Sequence, residues 1–99
     1  MFHLRYAIIA RQTLADLEKN PAKAGLVKQI KKSLCYLQTN PRHPSLNTHL
    51  YDAIPNPLDK NKKVFGAYAQ NNTPSAHRIL FCYGPEHTIY IIAIIPHLK

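Results

Sequence analysis

Six histidines and four arginines, Arg78, His97, His43 and His49 among them, are side chains whose types could do chemistry beyond packing. A histidine titrates close enough to neutrality to take or give a proton, and a guanidinium presents a planar fork of donors that suits phosphate oxygens. Cleaving RNA through its own 2′-hydroxyl requires removing a proton, stabilising charge on phosphorus and protonating the leaving oxygen, and none of these tasks needs a metal. Histidine and arginine side chains such as His97, His43, His49 and Arg78 have the chemistry for them. Lys60, Lys62 and Lys63, with Arg42, could hold a phosphate backbone, a contact that carries no sequence information. Each of these residues also has a bland reading: an arginine bracing a sheet, a frayed terminal histidine, a solvated charge run. His43 and His49 lack the tight Cys/His spacing and the four ligands of a zinc site, so neither metal nor cofactor is expected. His3, His77 and His87 read as structural or solvent-facing, and Tyr68 and Tyr83 as core or sheet-edge residues that could also stack on bases.

The charge balance favours a polyanionic partner. Lys and Arg outnumber Asp and Glu by 13 to 5, giving a net charge of +8 on 99 residues, and such a surface attracts phosphate over a screening length of about 8 Å. RNA is the favoured partner; an acidic protein is a second candidate. Membrane is disfavoured, because the longest apolar run, residues 89–95, is far short of the roughly 20 residues of a spanning helix. The first six residues alternate polar and apolar types and lack the apolar core of a signal peptide, so a cytoplasmic location is expected. With 45% apolar and 18% charged residues, the chain reads as one folded domain over residues 1–99. Cys35 and Cys82 read as buried thiols rather than as a disulfide framework.

The elements that must position these residues follow from periodicity. Residues 2–6 can form a first strand, and Ala10, Leu14 and Leu17 recur at helical spacing over residues 9–19, although Thr13 and Asp16 could cap a later start. Asn20-Pro21 reads as an N-cap with proline at the first helical position. The second helix then runs to about residue 38, with Leu26, Val27, Ile30, Leu34 and Leu37 on one face and Lys23, Lys28, Lys31 and Lys32 on the other. Residues 40–63 are rich in Pro, His and Asn, an irregular stretch that suggests function and hides a short strand near residues 50–54. Residues 64–69, 77–83 and 88–95 read as three strands of an antiparallel meander, the last of them interior and covered on both faces. Alternation along the middle strand sends Ile79, Phe81 and Tyr83 to one face and Arg78, Leu80 and Cys82 to the other.

This order of elements, together with Ala76-His77-Arg78-Ile79-Leu80-Phe81-Cys82-Tyr83 and Ile91-Ile92-Ala93-Ile94-Ile95-Pro96-His97, resembles the RelE/ParE superfamily of bacterial toxins. The resemblance spans essentially the whole chain. It implies an α+β, RelE-like fold, with two N-terminal helices packed on a small twisted antiparallel β-sheet and a basic concave face left for substrate. It also implies a toxin of a type II toxin-antitoxin system: an endoribonuclease acting on messenger RNA, in most members at the ribosome, and held inactive by a small cognate antitoxin. Arg78 matches the strand arginine of the RNA-cleaving branch, His97 the catalytic histidine of the YafQ-like members, and His43 lies near a further histidine of those members. Two alternatives stay open: a ParE-like inhibitor of DNA gyrase, and a non-catalytic RNA-binding domain. The second draws on the absence of a further aromatic residue after His97 and of an evident acidic partner for the histidines.

Overall fold

The computed structural model describes residues 1–69 and 77–96. Five strands form one sheet in the order β1-β5-β4-β3-β2, with β1 spanning His3–Tyr6, β2 His49–Leu50, β3 Phe65–Tyr68, β4 His77–Gly84 and β5 Thr88–Pro96. Two helices, α1 (Ile8–Glu18) and α2 (Ala24–Thr39), lie between β1 and β2 in the chain. The class is α+β, as the sequence pattern suggests, but the sheet is mixed rather than antiparallel. While β2 to β5 pair antiparallel, β1 runs parallel to β5, with Leu4 opposite Ile89 and Tyr6 opposite Ile91. A parallel neighbour needs a long crossover, and the helices and the remaining strands supply it. No local pattern encodes a pairing between the two ends of a chain.

β1 runs almost directly into α1, because the Ala7 amide still donates to the Ile91 carbonyl while Ile8 is already helical. Thr13 is therefore inside the helix and not at its start, its hydroxyl donating to the Ile9 carbonyl. The Asn20 side chain accepts from the Ala22 amide and opens a single 3-10 turn, Pro21–Lys23, that leads into α2. Val27, Ile30, Leu34 and Leu37 are buried along one face of α2, as their spacing requires, and Leu26 packs beside them. Ser33, also buried, donates from its hydroxyl to the Tyr68 carbonyl and pins α2 to β3.

The helices cover the sheet face that carries Phe65, Ala67, Ile79, Phe81, Ile89, Ile91 and Ile94. β5 departs from the expectation of burial on both faces: Ile89, Ile91 and Ile94 are buried, while Tyr90, Ile92, Ala93 and Ile95 are only partly so. A bulge explains the unbroken apolar run. Phe81 faces Ile91 but Leu80 faces Ala93, so Ile92 is an extra residue in the ladder. The alternation resets there, and Ile94 returns to the core where an unbulged strand would have presented its neighbour.

Cys82 is fully buried, but Cys35 is exposed, against the expectation of two buried thiols. On α2 it follows Leu34 by about 100° of rotation, which carries it past the buried stripe to a groove lined by Tyr6, Leu14 and Lys31.

The core sets a stability contrast. Ile30→Ala removes a fully buried side chain and is expected to cost about 2–5 kcal/mol in urea denaturation. Ile8→Ala, at a position 79% exposed, should change stability by less than about 0.5 kcal/mol.

Candidate nucleic-acid interface

The face of the sheet turned away from the helices carries the polar chemistry. Tyr68 on β3 is directly opposite Arg78 on β4, and Gly66 is opposite both Leu80 and His49. Side chains opposite one another in a ladder share a face, so His49, Tyr68 and Arg78 emerge together. The Tyr51 amide donates to the Val64 carbonyl and continues the β2–β3 pairing by one residue, which brings the ring of Tyr51 to the same side, two residues on from His49.

Arg78 is the centre of this group. Its guanidinium carbon lies 5.5 Å from the centre of the Tyr68 ring and 6.0 Å from that of Tyr51. Cation–π contacts of this kind contribute about 0.5–2 kcal/mol each, depending on desolvation. They do not supply a hydrogen-bond acceptor for Nε. The Nε atom is buried and has no hydrogen-bond acceptor, and the one ion pair among the described residues is Lys31 with Glu18, at 2.9 Å. A buried donor left in this state costs about 1–3 kcal/mol. The positive charge is thus oriented by aromatic rings, and no carboxylate among the described residues neutralises it.

His49 is held with similar care. Its Nδ1 is 3.2 Å from the Asn47 carbonyl oxygen, and a carbonyl can only accept, so the neutral ring carries its proton on Nδ1 and leaves a lone pair on Nε2. Asn47 turns the chain for this contact from a left-handed conformation, φ 47°. The ring stacks beside Tyr68 at 5.5 Å between centres and lies over Gly66, where an added Cβ would come within 3.3 Å of both Cε1 and Nε2. Glycine at that position leaves room for the imidazole.

The other residues named from the sequence are distributed differently. His43 caps the 3-10 turn Pro44–Leu46, its Nδ1 accepting from the Ser45 amide at 3.1 Å. Its ring stacks on Tyr36 of α2 at 3.9 Å, which keeps it on the helix side, away from Arg78. Arg42 is exposed near Tyr83: burial pushes the Tyr83 hydroxyl pKa up, and the Arg42 charge offsets part of that rise. Lys60, Lys62 and Lys63 are exposed on the loop before β3. Lys63 precedes Tyr68 by five residues, so these charges lie roughly 17 Å along the strand from the Arg78 end. His97 lies outside the described residues; the last described pair of the β4–β5 ladder is His77 with Pro96, next to Arg78 and Ile95. Among the described residues, no three His, Cys, Asp or Glu side chains are grouped so as to hold a metal ion.

Tyr51 and Gly66 complete the cluster and were not singled out by sequence pattern. Tyr51 could have been found as the residue two after His49 in a short strand; Gly66 has no signal without the register. A further contributor is Asn56, buried in the irregular segment. Its Oδ1 accepts from the Leu58 and Asp59 amides, its Nδ2 donates to the Lys63 carbonyl, and it hydrogen-bonds the Cys82 thiol. Through Asn56 the loop is fastened across Cys82, while Leu58 approaches Gly84. Leu80 and Cys82 are thereby buried on the outer face, while Arg78 on the same face is only partly buried.

Burial pushes the Cys82 thiol pKa up, against a smaller opposing effect of its hydrogen bond to Asn56. A thiol reagent is therefore expected to modify Cys35 quickly and Cys82 only on unfolding. Asn56→Ala should lower stability by about 1–3 kcal/mol and make Cys82 react in the native state, as counted by the number of fast-reacting thiols.

No protein-family model matches the chain, and no curated protein matches it at a significant level.

Proposed function

We propose that this chain is a RelE-like toxin of a type II toxin-antitoxin system that cleaves messenger RNA without a metal, at the ribosome or free of it. The observation that carries the reading is the Arg78 guanidinium, which lies against two tyrosine rings on the sheet face away from the helices, with a buried donor and no counter-ion among the described residues. A positive charge held this way is suited to phosphate oxygens, whose negative charge increases as the phosphorane forms. His49, with its Nε2 lone pair, supplies a proton acceptor on the same face. The rings of Tyr51 and Tyr68 offer stacking surfaces for bases of a single strand. Lys60, Lys62 and Lys63 would attract the more distant backbone.

In this reading Arg78 stabilises the transition state, and His49 shares acid and base duties with His97. His43, committed to Tyr36 and to a turn amide, supports the fold of the loop that delivers His49. The partners are a messenger RNA, with or without the ribosome, and a small antitoxin that covers the basic face.

Induced expression followed by mapping of transcript ends tests the reading. New 5′ ends and growth arrest are expected with the native chain. Arg78→Ala and His49→Ala should each reduce cleavage by about 10²-fold or more while thermal melting stays within a few degrees. Full toxicity in both variants would refute the assignment of the site. Arrest of DNA supercoiling with intact transcripts would instead make the chain a gyrase inhibitor, and salt-sensitive RNA binding with no cleavage would make it a non-catalytic binding domain.

A further inference from the structure

A second cluster of cationic and aromatic residues lies at the other end of the sheet. Arg5 on β1 and Arg11 on α1 line a pocket of about 590 Å³, together with Tyr6, Tyr90, Thr88 and Glu86. The pocket wraps around β1, which is an edge strand. Its volume falls within the roughly 300–1,000 Å³ typical of small-molecule sites.

This pocket is separate from the Arg78 cluster. Arg5 is aligned with Tyr90 on β5, whereas Arg78 is aligned with Ile95. Five residues of strand separate the two positions, roughly 16 Å.

Its electrostatics favour an anion. Neither Arg5 nor Arg11 has a carboxylate within ion-pair distance among the described residues. Glu86 shares the lining but pairs with neither arginine. Arg11 acts on the Tyr6 hydroxyl, offsetting part of the larger pKa rise that burial causes. The first turn of α1, which lies between Tyr6 and Arg11, contains no acidic residue, so the positive end of the helix dipole adds to the same field.

We propose that this pocket binds a nucleoside 5′-phosphate, with the phosphate between Arg5 and Arg11, the base against Tyr90 and the ribose hydroxyls toward Glu86. Two guanidiniums suit a phosphate better than any neutral ligand. A single carboxylate beside them is the usual kind of acceptor for ribose hydroxyls. A flat tyrosine ring accepts any base. The inference does not rest on cleavage at Arg78. Either a free nucleotide or the phosphorylated 5′ end of an RNA strand presents this chemistry.

Calorimetric titration of the full chain at low salt decides it, using adenosine 5′-monophosphate, adenosine, and a 5′-phosphorylated RNA trinucleotide. Saturable binding of the monophosphate is expected, with adenosine at least about tenfold weaker. The double variant R5Q/R11Q should weaken monophosphate binding by about tenfold or more with unchanged melting, since both side chains are exposed. Because the Arg78 cluster also suits a phosphate, the comparison is repeated in an Arg78→Gln background, where the binding lost in R5Q/R11Q should persist, which separates this pocket from the proposed cleavage site. Competition by the trinucleotide would support the pocket and identify an RNA end as its ligand; monophosphate binding without such competition would support it for a free nucleotide. Absence of saturable monophosphate binding, or equal binding by R5Q/R11Q, would overturn the proposal.

Discussion

Alternation along β4 is the constraint from which the rest of the molecule follows. Ile79 and Phe81 turn toward the helices and join Ile30, Leu34 and Leu37 in the core, so Arg78, Leu80 and Cys82 must turn the other way. Burying side chains of this size stabilises the fold by about 1.5–3 kcal/mol each, and together they outweigh the unmet donor on Arg78. A one-residue slip of β4 would exchange the two sets and bury a guanidinium against leucines. Packing thus fixes the register, and the register fixes where the charge emerges.

The outer face is divided by the loop of residues 51–63. Asn56 holds that loop over Cys82 with three backbone hydrogen bonds and a contact to the thiol, and the middle of the sheet becomes a second, smaller buried layer. Basic groups remain on either side of it: Arg78 with His49 and two tyrosines at one end, and Arg5 with Arg11 at the other. With only five acidic residues in the chain, and one of them paired with Lys31, few internal counter-ions are available. Much of the charge must be balanced by solvent ions or by a partner, and a polyanion releases those ions on binding.

Much of the architecture was legible from local pattern. The α2 stripe, the Asn20 cap and the three C-terminal strands follow from spacing and turn residues that act over a few positions. The placement of Arg78 on the face away from Ile79 and Phe81 followed from a period of two. What was not legible depends on contacts distant in sequence. The parallel pairing of β1 with β5 joins residues more than eighty positions apart; the bulge at Ile92 shows only in the register; and the exposure of Cys35 depends on where α1 and β1 pack. The cluster itself was half visible. Arg78 was singled out by its strand position and by the resemblance, and His49 by chemical type, whereas Tyr51 and Gly66 gain meaning only once β2 is seen beside β3. His43 has the same chemistry as His49, and it is the stacking on Tyr36 that separates their roles.

On the proposed reading a phosphate of the RNA supplies the acceptor that the buried Nε–H of Arg78 lacks among the described residues. Following the Arg78 Nε–H resonance by NMR, while adding a short RNA strand blocked by 2′-O-methylation, measures this directly. A downfield shift and slowed exchange of that proton, saturating with the RNA, are the predicted result. An Arg78 resonance that stays unchanged while RNA binds elsewhere on the surface would contradict it.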